Sequence, residues 1–177
     1  MKLYIPELKK GEGEFFSYDG TIELNCIKLD YLKEQPVQLH VNLKATYVQN
    51  RVLLKGTWHA EIDTECHRCL TSFALQFDEM LYEELPHLTK GIASERESKE
   101  GIELRDGESF AFKGDTLDLT DLFEQLFLMS QPLKMICQED CRGLCSTCGA
   151  NKNLDMCSCE KQIDPRWVIL DKLKKHS

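Results

Sequence analysis

Apolar and polar residues alternate with a period of two through the middle of the chain. Every second position from Val37 to Tyr47 is apolar, and Gln49-Asn50 then offers a two-residue turn. A second alternating run extends from Arg51 to about Thr64, and a third from Ser72 to Leu81. Runs of this kind joined by short connections predict an antiparallel meander with one buried face.

Two later segments have the features of helices. Apolar residues recur at helical spacing from Leu119 to Ser130, after Thr116 or Asp118 as a capping residue, and a stripe of this width normally packs on a sheet. Asp164-Pro165 predicts the start of a short helix from Arg166 to Lys175, because proline is favoured in the first helical turn.

These elements together predict an α+β fold. We expect residues 1–113 to form an antiparallel β-rich body, with further strands near residues 21–26 and 110–112 and a mobile acidic loop at about residues 85–108. Cys26 falls on the apolar side of the first of these strands, as a small core residue would. Residues 114–177 should form the packed helix and a cysteine-rich, zinc-ribbon-like tail that packs on the body and ends in the short helix.

Cysteines are concentrated in this tail, where six of the nine lie within 23 residues. Another two form the pair Cys66-His-Arg-Cys69. Cysteines two residues apart can reach one ion from a single turn, so the chain predicts two tetrahedral metal sites of four thiolates each. The candidate ligands are Cys66, Cys69, Cys137, Cys141, Cys145, Cys148, Cys157 and Cys159.

The spacing favours one division of these ligands without excluding another. Gly149 suits a tight turn after Cys148, and Asn151 and Asn153 favour a turn that returns the chain to the first pair. One site then comprises Cys145, Cys148, Cys157 and Cys159, and by elimination the other comprises Cys66, Cys69, Cys137 and Cys141. The rival division joins Cys66 and Cys69 to Cys145 and Cys148.

Metal is favoured over disulfides because the number of cysteines is odd and the chain has the features of a cytoplasmic protein. It has neither an apolar run long enough to cross a bilayer nor a signal peptide pattern at Met1, so we expect no membrane partner. Zinc suits two pairs of thiolates, with one or two structural ions, although ligand type alone does not distinguish zinc from iron.

An enzyme is not expected, because an ion held by four sulfurs has no position for a reactive water. His40 and His59 lie on the polar side of their strands, and His67 need not bind metal although it lies between two cysteines. The sequence has no deaminase, zinc-protease or phosphate-loop motif and implies no small-molecule substrate. The alternative is a thiol–disulfide oxidoreductase, or another metal-dependent enzyme, that uses Cys66 and Cys69.

The formal charge of −8 is unevenly distributed. Residues 132–177 carry eight Lys and Arg against six Asp and Glu, a balance of +2, which leaves −10 on residues 1–131. A four-thiolate site with a divalent ion adds a further −2, so two such sites bring the chain to about −12. This charge repels bare RNA over much of the surface and favours a basic protein partner.

Several cysteine motifs of the chain resemble those of the YceD family, the large ribosomal RNA subunit accumulation proteins. The resemblance is specific from about Gly114 to Leu173 and around the first cysteine pair. Proline often stands in the family where this chain has Ser146, and an apolar residue where it has Lys152. The matching motifs are Cys66-His-Arg-Cys69-Leu70, Asp118-Leu119, Cys141-Arg-Gly-Leu-Cys145-Ser-Thr-Cys148-Gly149-Ala-Asn151-Lys-Asn153, Cys157-Ser-Cys159 and Asp164-Pro165-Arg166.

This resemblance implies a bacterial cytoplasmic factor, without known catalysis, that supports accumulation of 23S ribosomal RNA and assembly of the large subunit. Combined with the acidic charge, it leads to the hypothesis that the chain engages the large-subunit precursor through a basic ribosomal protein or an assembly factor. Lys172, Lys174 and Lys175 offer at most a weak RNA contact.

Overall fold

The computed structural model describes residues 1–24, 36–88, 97–98, 101–102 and 110–159. The chain forms two compact units. The first, the sheet unit, comprises Met1–Thr64 and Ala74–Leu133, and the second, the cysteine unit, comprises Glu65–Phe73 and Lys134–Ser177. This grouping places the Cys66–Cys69 turn with the C-terminal segment and the helix near residue 120 with the sheet. It therefore differs from a division of the chain at residue 113.

Strands dominate the described part of the chain. Five of them form one sheet in the order β2-β3-β4-β5-β8, and two smaller sheets pair β1 with β9 and β6 with β7. In chain order the elements are β1 (Lys2–Tyr4), α1 (Ile5–Lys10), β2 (Phe16–Leu24), β3 (Val37–Val48), β4 (Arg51–Glu65), β5 (Ser72–Leu88), β6 (Glu97–Ser98), β7 (Gly101–Ile102), β8 (Phe112–Lys113), β9 (Thr116–Asp118) and α2 (Thr120–Met129).

A long hairpin of β3 and β4 forms the centre of the sheet. The two strands pair antiparallel, with Leu43 opposite Gly56, and β2 pairs antiparallel with the other edge of β3. Gln49 and Asn50 connect them with φ angles of 48° and 60°, the left-handed conformation that a two-residue hairpin turn requires. The predicted strands and their turn are confirmed.

Strand β5 is longer than the alternation pattern predicts. It continues from Leu81 to Leu88, and its last four residues, 85–88, are buried. The end of β5 pairs in parallel with β8, where His87 lies opposite Phe112. The prediction of a loop is therefore wrong for residues 85–88. Charged neighbours and Pro86 favour a loop in the sequence, although the segment is the buried end of a strand. The parallel pair also makes the main sheet mixed, whereas the sequence predicts an antiparallel body.

The N-terminal segment adds a strand and a short helix that the alternation pattern does not predict. Leu3 of β1 lies opposite Leu117 of β9, and both side chains are buried. In α1 a proline occupies the first turn, and Ile5 and Leu8 are buried. With only six residues, this helix is too short to produce a recognisable periodicity.

Helix α2 confirms the helix predicted from Leu119 to Ser130, within the usual uncertainty of helix ends. Asp118 precedes it, and its Oδ1 accepts hydrogen bonds from the backbone N–H of Thr120 at 3.1 Å and from the Thr120 hydroxyl at 2.7 Å. Phe127 on the buried face packs with its ring centroid 5.2 Å from that of Phe77 and 6.4 Å from that of Trp58. The helix thus covers the apolar face of β4 and β5.

Some predictions concern residues that the structure does not describe. Cys26, the helix from Arg166 to Lys175 and most of the expected acidic loop lie outside the described residues. Between residues 89 and 108 only the antiparallel pair β6 and β7 is described. Among the described helices, none has the length and apolar character needed to span a membrane.

Candidate metal centre

The turn that joins β4 to β5 presents the first cysteine pair. The backbone N–H of Leu70 donates to the carbonyl of Cys66 at 2.9 Å, and Leu70 adopts a φ of 56°. The N–H of Arg68 points at the Cys66 sulfur, with a nitrogen–sulfur distance of 3.4 Å. The pair thus lies in a single tight turn, as the two-residue spacing predicts, with an amide directed at the first sulfur.

Cluster 1 consists of Cys66, Cys69, Cys137 and Cys141. The sulfurs of Cys66 and Cys141 are 3.7 Å apart, and those of Cys69 and Cys137 are 3.6 Å apart. Three of the four residues are buried, and Phe73, Ile136 and Leu144 pack against them. Cluster 1 is therefore a mostly buried group of four sulfurs in the cysteine unit, with apolar side chains packed around it.

Cluster 2 consists of Cys145, Cys148, Cys157 and Cys159. The sulfur of Cys157 lies 3.3 Å from that of Cys145 and 3.5 Å from that of Cys148. Amides again point at sulfurs, since the N–H of Thr147 is directed at Cys145 and that of Cys159 at Cys157. Gly149 has a φ of 74°, and its N–H donates to the Cys145 carbonyl, as expected for the turn after Cys148.

The structure brings the eight predicted ligands together in the preferred division. Each cluster contains four of these sulfurs, all within 4.8 Å of one another, and the crossed division does not occur among the described residues. The long-range part of this arrangement is the approach of Cys66 and Cys69 to Cys137 and Cys141. The backbone N–H of His67 donates to the carbonyl of Met135 at 2.8 Å and helps to hold these two segments together.

The sulfur separations fit a bound ion and exclude disulfides. A tetrahedron of sulfurs with metal–sulfur bonds of about 2.3 Å has edges of about 3.8 Å, whereas a disulfide bond measures about 2.05 Å. Neighbouring sulfurs in both clusters are 3.3–3.7 Å apart, and all eight cysteines are free thiols. Both clusters can therefore hold a metal ion.

The protonation of cluster 1 shows why a cation fits there. Burial raises the pKa of Cys66, but hydrogen bonds from the backbone amides of Cys137, Arg68 and Cys69 outweigh burial and lower this pKa to about 6. Burial and the sulfurs of the three neighbouring cysteines raise the pKa of Cys137 to about 12. Hydrogen bonding from Thr71 lowers the pKa of Cys69 as well, so Cys137 is the thiol whose ionisation most needs a positive charge to balance it.

Cluster 2 repeats this asymmetry. Backbone amides of Cys148 and Thr147 lower the pKa of Cys145 to about 6. The sulfurs of Cys157 and Cys148 raise the pKa of Cys159 to about 12. Unlike cluster 1, cluster 2 is partly open, since Cys148 and Cys159 are exposed and a surface cavity of about 290 Å³ lies beside it.

Polar side chains behind the sulfurs were not found from the sequence. Asn153 Nδ2 lies 3.3 Å from the Cys141 sulfur, and the Thr71 hydroxyl lies 3.4 Å from the Cys69 sulfur. The sequence indicates only a turn for Asn151 and Asn153, and the structure has that turn, with the N–H groups of residues 154 and 155 both bonded to the Asn151 carbonyl. No local pattern could reveal contacts that depend on tertiary folding.

The histidines that the structure describes lie outside both clusters. His67 is exposed, and His40 and His59 project from the solvent-facing side of the sheet, as their alternation pattern predicts. His59 Nδ1 lies 2.8 Å from Asp78 Oδ1, and His40 Nε2 lies 3.8 Å from Asp19 Oδ1. The described histidines therefore add no ligand to the eight cysteines.

Relatives of this chain are found in bacteria and plants. An uncharacterised protein of Mycobacterium tuberculosis is 27% identical over 176 residues, which cover 96% of this chain and 79% of the relative. The chloroplastic large ribosomal RNA subunit accumulation protein YCED homolog 1 of Arabidopsis thaliana is 24% identical over 75% of this chain and 46% of its own length. Its counterpart in Zea mays is 27% identical over 75% of this chain and 52% of its own. No solved structure matches.

The family match includes both clusters. The model of the family described as large ribosomal RNA subunit accumulation protein YceD matches residues 54–174, which contain all eight cysteines of the two clusters. This match covers more than half of the chain, and the chain belongs to the YceD family of large ribosomal RNA subunit accumulation proteins.

Proposed function

We propose that this chain is a non-catalytic ribosome biogenesis factor that acts in the cytoplasm. It supports the accumulation of 23S ribosomal RNA and the assembly of the large ribosomal subunit. Family membership over residues 54–174 is the observation that carries this proposal. The protein's own contribution to the process is a scaffold whose cysteine unit is held together by metal.

The metal in this scaffold is zinc, one ion in each cluster. Four sulfurs within 4.8 Å of one another enclose a single ion, whereas an iron–sulfur cluster needs room for inorganic sulfides between the cysteines. An ion bound by four sulfurs has no position for water, so its role is structural. The ligands are Cys66, Cys69, Cys137 and Cys141 in cluster 1, and Cys145, Cys148, Cys157 and Cys159 in cluster 2. Two turns with amides directed at sulfur support a zinc-ribbon-like cysteine unit.

The direct partner is a basic protein of the large-subunit precursor. The formal charge of −8 becomes about −12 when each cluster holds a divalent ion between four thiolates. A protein of this charge associates more readily with a basic ribosomal protein or assembly factor than with exposed phosphates. Contact with RNA is then confined to local basic positions.

A thiol–disulfide oxidoreductase is the second candidate, because the low pKa of Cys66 favours a reactive thiolate. Against it, Cys66 and Cys69 each lie beside a further cysteine, in a set of four. Alkylation of the native protein separates the two functions. A structural metal protects these thiols until a chelator is added, whereas a redox pair reacts in the metal-loaded protein.

The ribosomal role is tested by deleting the gene and measuring the ratio of large-subunit to small-subunit ribosomal RNA. We expect this ratio to fall and to be restored by the wild-type gene, but not by Cys141→Ser, which removes a buried ligand of cluster 1. Ser146→Ala, an exposed change between two cysteines of cluster 2, serves as the matched control and should restore the ratio. An unchanged ratio after deletion would contradict the proposal.

A further inference from the structure

The loop between Cys148 and Cys157 of cluster 2 carries a side chain that reaches cluster 1. Asn153 Oδ1 accepts a hydrogen bond from the backbone N–H of Arg142 at 2.7 Å. An N–H can only donate, so the amide oxygen of Asn153 faces Arg142 and its nitrogen faces the Cys141 sulfur at 3.3 Å. Asn153 therefore donates a hydrogen bond to a ligand sulfur of the other cluster.

A second asparagine in this loop reaches cluster 1 through a hydroxyl. Asn151 Nδ2 donates to Thr71 Oγ1 at 3.0 Å, and the same oxygen accepts from the Cys69 thiol at 3.4 Å. Asn151 Oδ1 in turn accepts from the backbone N and from Nδ2 of Asn153, at 3.0 and 2.9 Å. The two asparagines form one network that ends on two of the four sulfurs of cluster 1.

Cluster 2 sets the position of this loop. The loop begins after Cys148 and ends at Cys157, and the sulfurs of these two residues are 3.5 Å apart. Two backbone hydrogen bonds also hold it, from Lys152 N to the Gly143 carbonyl at 3.0 Å and from Cys145 N to the Ala150 carbonyl at 2.8 Å. Without an ion in cluster 2, one anchor of the loop, and so of both asparagines, is lost.

We infer that an ion in cluster 2 raises the metal affinity of cluster 1 through Asn151 and Asn153. The inference rests on the proposed structural-metal role. Hydrogen bonds to ligand sulfurs favour the thiolate and fix its position, and loss of such outer contacts typically weakens metal binding about 10–100-fold. Coupling between two sites is reciprocal, so an ion in cluster 1 strengthens binding in cluster 2 by the same factor.

The first test titrates the full-length protein with cobalt(II) against a competing chelator. Absorption of tetrahedral cobalt–sulfur sites counts the bound ions, and protection from alkylation identifies which cysteines hold them. We expect two ions in the wild type and, in Asn153→Ala, binding to cluster 1 that is weaker by about 10–100-fold. Leu154→Ala changes an exposed side chain of the same loop and should bind as the wild type does.

A double-mutant cycle tests the coupling itself. The double substitution Cys148→Ser, Cys157→Ser removes cluster 2 and should lower the metal affinity of cluster 1. Adding Asn153→Ala to this background should then lower that affinity by a smaller factor than it does in the wild type. Equal losses of cluster 1 affinity in both backgrounds, or wild-type affinity in Asn153→Ala, would overturn the coupling. Two ions bound per wild-type chain would still support the structural-metal role in that case. A full-length protein that binds no cobalt or zinc would overturn both.

Discussion

Gly56 lies where two strands of the sheet approach too closely for a side chain. A Cβ atom at this position would be 2.1 Å from the Asn42 carbonyl oxygen and 2.6 Å from the Leu43 Cα. These are backbone atoms of the paired strand β3, so no rotamer change can relieve the contact. The residue type is therefore dictated by strand packing.

We predict that Gly56→Ala lowers the free energy of unfolding by about 1–3 kcal/mol, which is the usual cost of forcing an extra carbon into a packed region. Chemical denaturation followed by circular dichroism measures this change. Gly20→Ala is the matched control, because a Cβ on Gly20 in β2 meets nothing within 4 Å. Equal stabilities of the two variants would contradict the steric argument.

His87 is a buried histidine held between two elements of the sheet unit. Its Nε2 donates to the Gly114 carbonyl at 2.9 Å, and its Nδ1 lies 2.9 Å from the oxygen of the Tyr47 hydroxyl. The ring stacks on Phe112 with centroids 4.9 Å apart. Burial and the nearby Lys9 ammonium lower the pKa of His87, and the Gly114 carbonyl and Asp115 offset this only in part.

This lowered pKa makes the stability of the sheet unit dependent on pH. The unfolded chain binds a proton at a histidine pKa of about 6.5, above that of the folded state, so stability is lost as the pH falls below about 6.5. We predict that His87→Gln flattens this loss between pH 6.5 and 5.5. Trp58 fluorescence in a Trp167→Phe background reports unfolding of the sheet unit, where Trp58 is buried.

The control for this prediction is His59→Gln, a change at an exposed position of the same sheet. This variant should keep the pH profile of the parent protein. If His87→Gln and its parent lost equal stability between pH 6.5 and 5.5, some other group would be the cause of the acid sensitivity.

At the scale of elements, the two clusters differ in their access to solvent. Three cysteines of cluster 1 are buried, and the exposed fractions of Cys66 and Cys69 are 0% and 4%. Two cysteines of cluster 2, Cys148 and Cys159, are exposed. A chelator in solution therefore reaches cluster 2 first.

We predict that chelator removes zinc from the protein in two phases, the faster one from cluster 2. A colorimetric zinc indicator follows the release, and alkylation during the reaction should modify Cys148 and Cys159 before Cys66 and Cys69. Cys148→Ser should lack most of the fast phase. A single phase, with all cysteines modified together, would contradict unequal access.

The central elements could be predicted from the sequence because their signals are local. The β3–β4 hairpin follows from strict alternation and the Gln49-Asn50 turn, and α2 follows from its apolar stripe. The end of β5 and the pairing of β8 could not, since His87 and Leu88 pair with Phe112 and Lys113, which are distant in sequence. Cysteine spacing likewise predicts the ligand sets, but the contacts of Asn153 and Thr71 arise only from tertiary folding.

For the whole molecule, the proposed choice of partner rests on charge. A formal charge of −8, made more negative by any thiolate sites, opposes binding to a phosphate backbone. It also speeds encounter with basic proteins at low salt. The proposed role in large-subunit RNA accumulation therefore includes a basic protein as the direct partner.

We predict that the metal-loaded protein binds basic large-subunit proteins more tightly than naked large-subunit RNA. Binding measured by fluorescence anisotropy from low to high salt should show protein complexes that weaken as salt rises, since screening reduces the attraction. An acidic ribosomal protein of similar size is the control. Tight, steeply salt-dependent binding to RNA, with no protein partner, would contradict this expectation.

The approach of Cys69 to Cys137 has a consequence for how the chain is held together. These residues are 68 positions apart in sequence, yet their sulfurs are 3.6 Å apart. An ion bound to both sulfurs therefore closes a ring of the chain that includes β5 and α2. Closing so long a ring restricts the unfolded chain much as a crosslink does. Such a tie is reversible without oxidation, since loss of the ion opens the ring and its return closes the ring again.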